Sequence, residues 1–473
     1  MPGLGEKASR RKIAWYLMPA VLTLAWPTML EQILHTAVQY IDTAMVGSLG
    51  TTATAAVGST TTVNWLIGST VSAFGVGFLS FISRSLGAGD NSRARKAASQ
   101  SVLAVLVSGI FFTVLTLSLA RFVPVWMQVD ENARDLASAY FFIIYMPMLP
   151  RAASMIFGTV LRAAGDTRSP MRVGIIVNIL NVVLNFLLIY QPRDIRFFKT
   201  SLMIRLWGAG MGVIGAAVAS AVSFVFGGVA MTVILYKHTV ISPRGLSIKP
   251  DRSILSPCLR IAFPNMLQRF GTSLGYVAFA SMINSLGELS TAAHTIANTV
   301  ESAFYIPGYG MQSAAATLTG NAVGAGDRKK IADLAGVILF VEVSLMLISG
   351  SLLFVFAPSM MSIFSKDRGV ITLGTTVLRM VACSEPFYGV SIVLEGMLQG
   401  AGKTKLPFIA NITGMWGIRI LGTFIAITFF EGTMISAWAF MIAHNILLFV
   451  FFVIYAICES VRPKGWIDSP PIS

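Results

Sequence analysis

Hydrophobic residues along the chain gather into about a dozen long runs, separated by short polar segments that contain Gly and Pro. A run of about 20 apolar residues is long enough to cross a bilayer as a helix. The pattern therefore predicts an all-α integral membrane protein with twelve transmembrane helices. We place them at about 15–47, 53–84, 97–121, 135–160, 171–190, 208–236, 257–286, 290–321, 332–357, 371–397, 407–430 and 433–459.

The same pattern occurs twice at a constant offset of 237 residues, as between Pro27 and Pro264. The sequence GAGD at 87–90 returns at 324–327, and LRAAGDTRSP at 161–170 returns as LQGAGKTKLP at 398–407. Because each unit holds six spans, an even number, both units enter the membrane in the same direction, as parallel repeats do. We therefore predict two pseudo-symmetric six-helix bundles. The boundaries are a tail at 1–14, an N-lobe at 15–236, a linker at 237–256, a C-lobe at 257–459 and a tail at 460–473.

Composition and charge support a membrane protein and place its ends. Only 12% of the residues are charged and 55% are hydrophobic, whereas about 25% are charged in ordinary soluble domains. With the N-terminus inside, most of the 35 Lys and Arg fall on cytoplasmic segments, so both termini are expected in the cytoplasm. The net charge of +14 then reflects topology, and we expect no nucleic-acid partner. The three cysteines indicate neither a disulfide framework nor a metal site, and no cofactor is expected.

The first span carries three ionisable residues, Glu31, His35 and Asp42. At 100° per residue they lie within about 40° of one another on one helix face. A charge near the bilayer centre costs at least about 2.5–3.5 kcal/mol and is normally functional. One face of the fifth span carries three amides, Asn178, Asn181 and Asn185. Asn185 and Asp42 have the same predicted depth, so we expect a reversible proton site at Asp42, or else a hydrogen-bonded cluster that ties two helices together.

Two further features of the first span suggest conformational change. Pro27 removes one backbone hydrogen bond, which predicts either a static kink or a moving hinge. Glu31 lies about 16 Å from Asp42 along the helix, at the depth of Gln268 and Arg269 in the second repeat. We predict that Glu31 pairs with Arg269 across the lobes as a gate; the alternative is a partner for each within its own lobe.

The C-lobe contains a second candidate carboxylate, Glu301, with Tyr305 one turn away on the same face. Together with Glu31 and His35, these residues are candidates for contacting a cationic substrate or for coupling. The alternative is a structural pairing of Glu301 with a buried Arg.

The chain resembles the multidrug and toxic compound extrusion (MATE) transporters, closer to their DinF-like branch. The resemblance rests on AWP and IDTAMVGSLG in the first span, GAGD after the second, LRAAGDTRSP after the fourth and NVVLN in the fifth. It implies a V-shaped pair of six-helix bundles in a bacterial inner membrane, which exports small organic cations in exchange for H⁺ or Na⁺.

The resemblance also assigns roles to residues. Asp42 matches the family's coupling Asp, with Na⁺ as a possible ligand there, Pro27 matches the Pro at which that helix bends, and Asn181 matches the Asn that contacts the Asp. Ser220, in GAAVAS, stands where the DinF-like branch usually has Thr. Two positions depart from the family. Asn185 replaces a second Asp, and near the NorM-like seventh-span Glu this chain has only Gln268 and Arg269.

These observations predict a monomeric secondary active exporter of organic cations with coupling at Asp42. The alternative is a lipid-linked oligosaccharide flippase of the same superfamily, although its basic chamber contrasts with the acidic stripe of the first span. A major-facilitator carrier also has six-plus-six repeats, but the repeated LRAAGDT and LQGAGKT loops argue against it. An enzyme is not expected, since the sequence lacks HExxH and paired aspartates for prenyl transfer.

Overall fold

The computed structural model describes residues 4–196, 203–462 and 465–467. The N-lobe contains α1 (Leu4–Gly47), α2 (Thr51–Gly87), α3 (Asn91–Leu119), α4 (Val123–Trp126), α5 (Glu131–Tyr145), α6 (Met148–Ala163), α7 (Arg168–Ile189), β1 (Arg193–Arg196), β2 (Met203–Leu206) and α8 (Gly212–Lys237). The C-lobe contains α9 (Arg252–Asn284), α10 (Glu288–Gly324), α11 (Arg328–Phe364), α12 (Arg368–Ala382), α13 (Glu385–Gly400), α14 (Lys405–Thr413), a π-helix (Gly414–Ile420), α15 (Leu421–Phe430), α16 (Met434–Val461) and a 3₁₀ turn (Gly465–Ile467).

The helices form twelve rods, as the hydrophobic pattern predicts. In the described part of the chain, eight rods are long and apolar enough to cross a membrane, and two bent helix pairs raise that number to ten. Helices α9 and α10 complete the set; they are 33 and 37 residues long but carry more polar side chains. The two-bundle, all-helical membrane architecture is thus confirmed.

Several predicted boundaries were wrong for local reasons. The fourth and tenth spans are not continuous, because α5 meets α6 at 51° and α12 meets α13 at 54°. The breaks fall next to Pro147 and Pro386, and proline has no N–H with which to continue a helical ladder. Residues 4–14 are helical and continue into α1, in which the candidate membrane span is Tyr16–Gly47. The loop after α7 contains a two-stranded antiparallel hairpin, β1–β2.

Each lobe receives half a helix from the other repeat. Leu17, Val21 and Ala25, which precede Pro27, are buried in a C-lobe cluster with residues of α10, α11 and α13. Residues of α9 before Pro264 do the reverse, since Ile254 and Cys258 are buried in the N-lobe cluster. Both prolines therefore lie where a helix leaves one lobe and joins the other.

The lobes approach most closely at the end of the bundle that carries the two GAGD turns, which we call the GAGD end. A Cβ placed on Gly87 would lie 2.0 Å from the carbonyl oxygen of Asn321, and one on Gly324 would lie 2.0 Å from that of Arg84. The two contacts are equivalent under the 237-residue repeat. Backbone-to-backbone packing of α2 on α10 therefore closes the GAGD end, as small residues allow in membrane helices.

Candidate functional site

Asp42 lies in a polar site between α1, α7 and α8, in the half of the N-lobe opposite the GAGD end. Asn185 Nδ2 donates to Asp42 Oδ1 at 2.6 Å. The amide of Asn181 lies 2.9 and 3.1 Å from the two carboxylate oxygens and 3.2 Å from Ser220 Oγ. Asn181 and Asn185 are buried. The structure thus brings together Asp42, Asn181, Asn185 and Ser220, four of the five residues predicted to form this site.

The fifth residue, Asn178, lies one turn away on α7, and the described structure shows no hydrogen bond between it and Asp42. Tyr140 of α5, which the sequence pattern did not single out, lies within electrostatic reach of Asp42. Tyr140 lies far in sequence from the polar faces of α1 and α7, so the pattern on those faces gave no signal for it.

The Asn181 amide fits this site in either of two orientations. With its nitrogen toward an ionised carboxylate, the amide donates to Asp42 and its oxygen accepts from Ser220 Oγ. With its oxygen toward Asp42, the amide accepts from Asn185 Nδ2 at 3.1 Å and donates to Ser220 Oγ. That second orientation suits a protonated carboxyl, which has a proton to donate. One orientation therefore suits the ionised form of Asp42, although it places the Asn181 and Asn185 amide nitrogens 3.1 Å apart, and the other suits the protonated form.

The predicted cross-lobe pair of Glu31 with Arg269 is absent from the described structure. Glu31 Oε1 instead lies 2.7 Å from Arg162 Nη2, an ion pair within the N-lobe. The hydrophobic pattern placed Arg162 in the loop after the fourth span. In the structure α6 continues to Ala163, so the side chain of Arg162 reaches back into the bundle. For Glu31 the alternative, a partner within its own lobe, is therefore the correct one. Asp42 remains as the carboxylate of the first-span stripe without a cationic partner in the described chain.

His35 lies between charges of opposite sign, since Glu31 and Arg151 both act on it electrostatically. The guanidinium of Arg151 stacks 4.5 Å above the Phe224 ring. The half of the N-lobe nearer the GAGD end therefore holds two cations as well as Glu31.

Helix α1 runs through Pro27 without a break in its assigned helix. The next residue, Thr28, donates to the carbonyl oxygen of Gly310 in α10 at 2.8 Å. The Pro27 turn is therefore attached to the C-lobe, while Asp42 on the same helix is attached to α7.

In the C-lobe, Glu301 is buried and lies within electrostatic reach of Arg419. No ion pair within 4.0 Å joins them in the described chain, because the guanidinium of Arg419 stacks between Tyr276 and Phe279 at 4.9 and 4.4 Å. The ring of Tyr305 packs edge-on against Tyr309 and Tyr388. Glu301 and Tyr305 thus belong to an aromatic interior beside α13.

Comparison with known proteins identifies the fold and the family. The family profile of MatE matches residues 27–187 and 264–425, two stretches that start 237 residues apart and cover more than half of the chain. The chain belongs to the MatE family. Its members are transporters, so this MatE protein is a multi-pass membrane transporter and not an enzyme.

Individual relatives agree over nearly the whole length of this MatE protein. The probable multidrug resistance protein NorM of Thermotoga maritima is 26% identical over 426 residues, which cover 90% of this chain and 89% of the relative. The probable multidrug resistance protein YoeA of Bacillus subtilis is 22% identical, with 92% of each chain covered. A crystal structure of MATE in complex with MaL6 superposes with a TM-score of 0.86 at 22% identity, covering 94% of this chain and 96% of that one.

Proposed function

We propose that this MatE protein exports small organic cations from the cytoplasm in exchange for H⁺ or Na⁺, with the coupling ion bound at Asp42. The GAGD end faces the cytoplasm in this proposal, and the protein acts in a bacterial plasma membrane as a monomer. The basic residues that follow both GAGD turns support that orientation. The names of its relatives, multidrug resistance proteins, support the substrate class.

The observation that carries the proposal is the environment of Asp42. Its carboxylate receives amide donors from α7 but has no Lys, Arg or His within ion-pair distance in the described chain. A carboxylate inside a membrane protein without a protein cation is a site for a cation that comes and goes. Glu31, by contrast, already has Arg162.

Binding of the coupling ion at Asp42 changes the charge and the hydrogen bonds between α1 and α7. An ionised Asp42 attracts an organic cation and holds the nitrogen of Asn181 toward it. A proton on Asp42 removes that charge, turns the preferred orientation of Asn181, and leaves a cation without its counter-ion. Because α1 is attached to α10 at Thr28 and to α7 at Asp42, the change at Asp42 reaches the lobe interface through one helix.

Sodium is the other candidate ion. In the described residues no group of three His, Cys, Asp or Glu side chains converges on one point. A sodium ion at Asp42 would therefore need the amide and hydroxyl oxygens of Asn181, Asn185 and Ser220 as further ligands. Oxygen donors are the type that hard cations prefer.

The test is efflux of ethidium from proteoliposomes that contain purified protein, with a pH gradient and a Na⁺ gradient imposed separately. We expect one gradient to drive efflux in the wild type and neither to drive it in Asp42→Asn. Asp333→Asn serves as a matched control, since it removes a carboxylate near the GAGD end, outside the site.

Normal gradient-driven efflux by Asp42→Asn would overturn coupling at this residue. If the wild-type protein moves no organic cation under either gradient, export of cations is wrong. Flipping of a fluorescent lipid-linked oligosaccharide in the same vesicles would then be measured.

A further inference from the structure

A second polar cluster, in the C-lobe, centres on Glu395 of α13. Glu395 Oε1 accepts from Gln268 Nε2 of α9 and from Gln399 Nε2, both at 2.9 Å. Its Oε2 accepts from Asn411 Nδ2 of α14 at 3.2 Å. Gln268, Glu395 and Gln399 are all buried. Since an ionised carboxylate only accepts hydrogen bonds, three amide donors match its charged form.

The repeat places this cluster opposite the Glu31–Arg162 ion pair of the N-lobe. The offset of 237 residues pairs Gln268 with Glu31, Gln399 with Arg162, Glu395 with Gly158 and Asn411 with Gly174. The structure agrees, because a Cβ on Gly174 would lie 3.4 Å from Glu31 Cγ and one on Gly158 would lie 3.8 Å from Arg162 Nη2. The two clusters therefore occupy the same place in their lobes.

Their charges differ. The N-lobe cluster contains one carboxylate and one guanidinium, so it is neutral. The C-lobe cluster contains one carboxylate and three neutral amides. Of the described Lys, Arg and His side chains, none lies within 4.0 Å of Glu395; Arg269 and Arg419 both stay farther away. A buried negative charge without a protein cation is costly, so a cation from outside the chain would complete the C-lobe cluster.

Three tyrosines form a cluster in the same lobe. One of them, Tyr309, is within electrostatic reach of Glu395, and its hydroxyl lies 3.1 Å from that of Tyr388. The ring of Tyr305 lies 6.0 Å from that of Tyr309 and 5.5 Å from that of Tyr388. All three tyrosines are partly exposed. An anion next to aromatic rings is a combination that binds organic cations through charge and cation–π contacts.

We propose that Glu395 and the tyrosines Tyr305, Tyr309 and Tyr388 form a substrate subsite that receives the positive centre of an organic cation. Glu395 is five residues from the end of α13, about 7.5 Å from the GAGD end, whereas Asp42 lies in the opposite half of the molecule. When the GAGD end opens, the substrate meets Glu395 first and is later released beside Asp42. The inference rests on the proposed export of organic cations and adds their binding site on the loading side.

The experiment measures binding of tetraphenylphosphonium to the purified protein by isothermal titration calorimetry. We expect Glu395→Gln to raise Kd at least tenfold, which corresponds to about 1.4 kcal/mol. Gln399→Arg, which copies the N-lobe cation at the equivalent position, should weaken binding as much while preserving thermal stability. Glu395→Asp keeps the charge and should retain most of the affinity.

Glu431→Gln is the matched control. Glu431 is an exposed C-lobe glutamate at the end of α15. We expect its loss to leave Kd within twofold of the wild type, since it lies outside the Glu395 cluster.

Each outcome decides the inference. If wild type exports ethidium but Glu395→Gln binds tetraphenylphosphonium with unchanged Kd, the subsite is wrong while the proposed function stands. If Glu395→Gln does not fold, the Kd of Gln399→Arg decides in the same way. If wild type neither binds nor exports organic cations, the proposed function fails and the subsite fails with it.

Discussion

At the scale of single residues, the Glu31–Arg162 ion pair gives the sharpest stability prediction. Both side chains are about four-fifths buried, so Arg162→Ala leaves a carboxylate without its counter-charge. Removing one partner of a fully buried pair costs about 3–5 kcal/mol, and the remaining exposure lowers our expectation to about 1–3 kcal/mol. The measurement is the thermal unfolding temperature of the purified protein in detergent, which should fall by several degrees.

The chain itself supplies the control for this prediction. The double variant Glu31→Gln/Arg162→Gln gives the N-lobe the residues that the C-lobe holds at the equivalent positions, Gln268 and Gln399. No charge is then left unpaired, so its unfolding temperature should lie closer to wild type than that of Arg162→Ala. An Arg162→Ala protein as stable as wild type would show that the pair contributes nothing.

Contacts between single residues could be predicted from the sequence where both helices are regular and the side chains in contact are short. The shared faces of α1 and α7 correctly brought Asp42 to Asn181 and Asn185. The prediction failed for Arg162, because that residue was placed in a loop. In the structure Arg162 lies in the last turn of α6, and its long side chain extends back along the helix. The partner of Glu31 could not be predicted from helical periodicity, because the sequence did not show where α6 ends.

At the scale of elements, the crossing of α2 and α10 controls whether the GAGD end is closed. An added methyl group at Gly324 would overlap the backbone carbonyl of Arg84, and backbone cannot move aside as a flexible side chain does. We expect Gly324→Ala to push the helices apart and expose Cys258, which is buried where the start of α9 packs on α2 beside Gly77. Maleimide labelling of Cys258, with Cys383 and Cys458 replaced by Ala, should become at least several-fold faster.

The control for the helix crossing is Gly336→Ala in α11. A Cβ there meets no atom within 4 Å, so the labelling rate of Cys258 should not change. Equal rates in Gly324→Ala and wild type would mean that the contact does not hold the GAGD end closed.

Element lengths followed from the hydrophobic pattern because a bilayer fixes how many apolar residues a span needs. The bends did not follow, although Pro147 and Pro386 were visible. A proline inside an apolar run is found both within a continuous helix, as at Pro27, and between two separate helices, as at Pro147 and Pro386. The packing of neighbouring helices decides between these two outcomes. The sequence of one apolar run carries no information about those neighbours.

At the scale of the whole molecule, the repeat produces two lobes that are not independent. The start of α1 packs in the C-lobe and the start of α9 packs in the N-lobe. The linker between α8 and α9 is held against the N-lobe, since Arg95 of α3 donates to the carbonyl oxygens of Ser242 and Arg244. Opening of either end therefore requires α1 and α9 to bend or slide. Pro27 and Pro264 mark the positions at which these helices pass from one lobe to the other.

This exchange predicts how the molecule behaves when the chain is cut in the linker after Gly245. Expressed alone, each half lacks the half-helix that fills its buried cluster, so Val21 or Cys258, both buried in the intact protein, would lose their partners. Packing contacts hold membrane helices together, so we expect each single half to be degraded or aggregated. Co-expressed halves should purify as a one-to-one complex that exports ethidium. A single half that purifies as a stable monodisperse protein would show that the exchanged half-helices are dispensable, and the two lobes would then be separate folding units joined only by the linker.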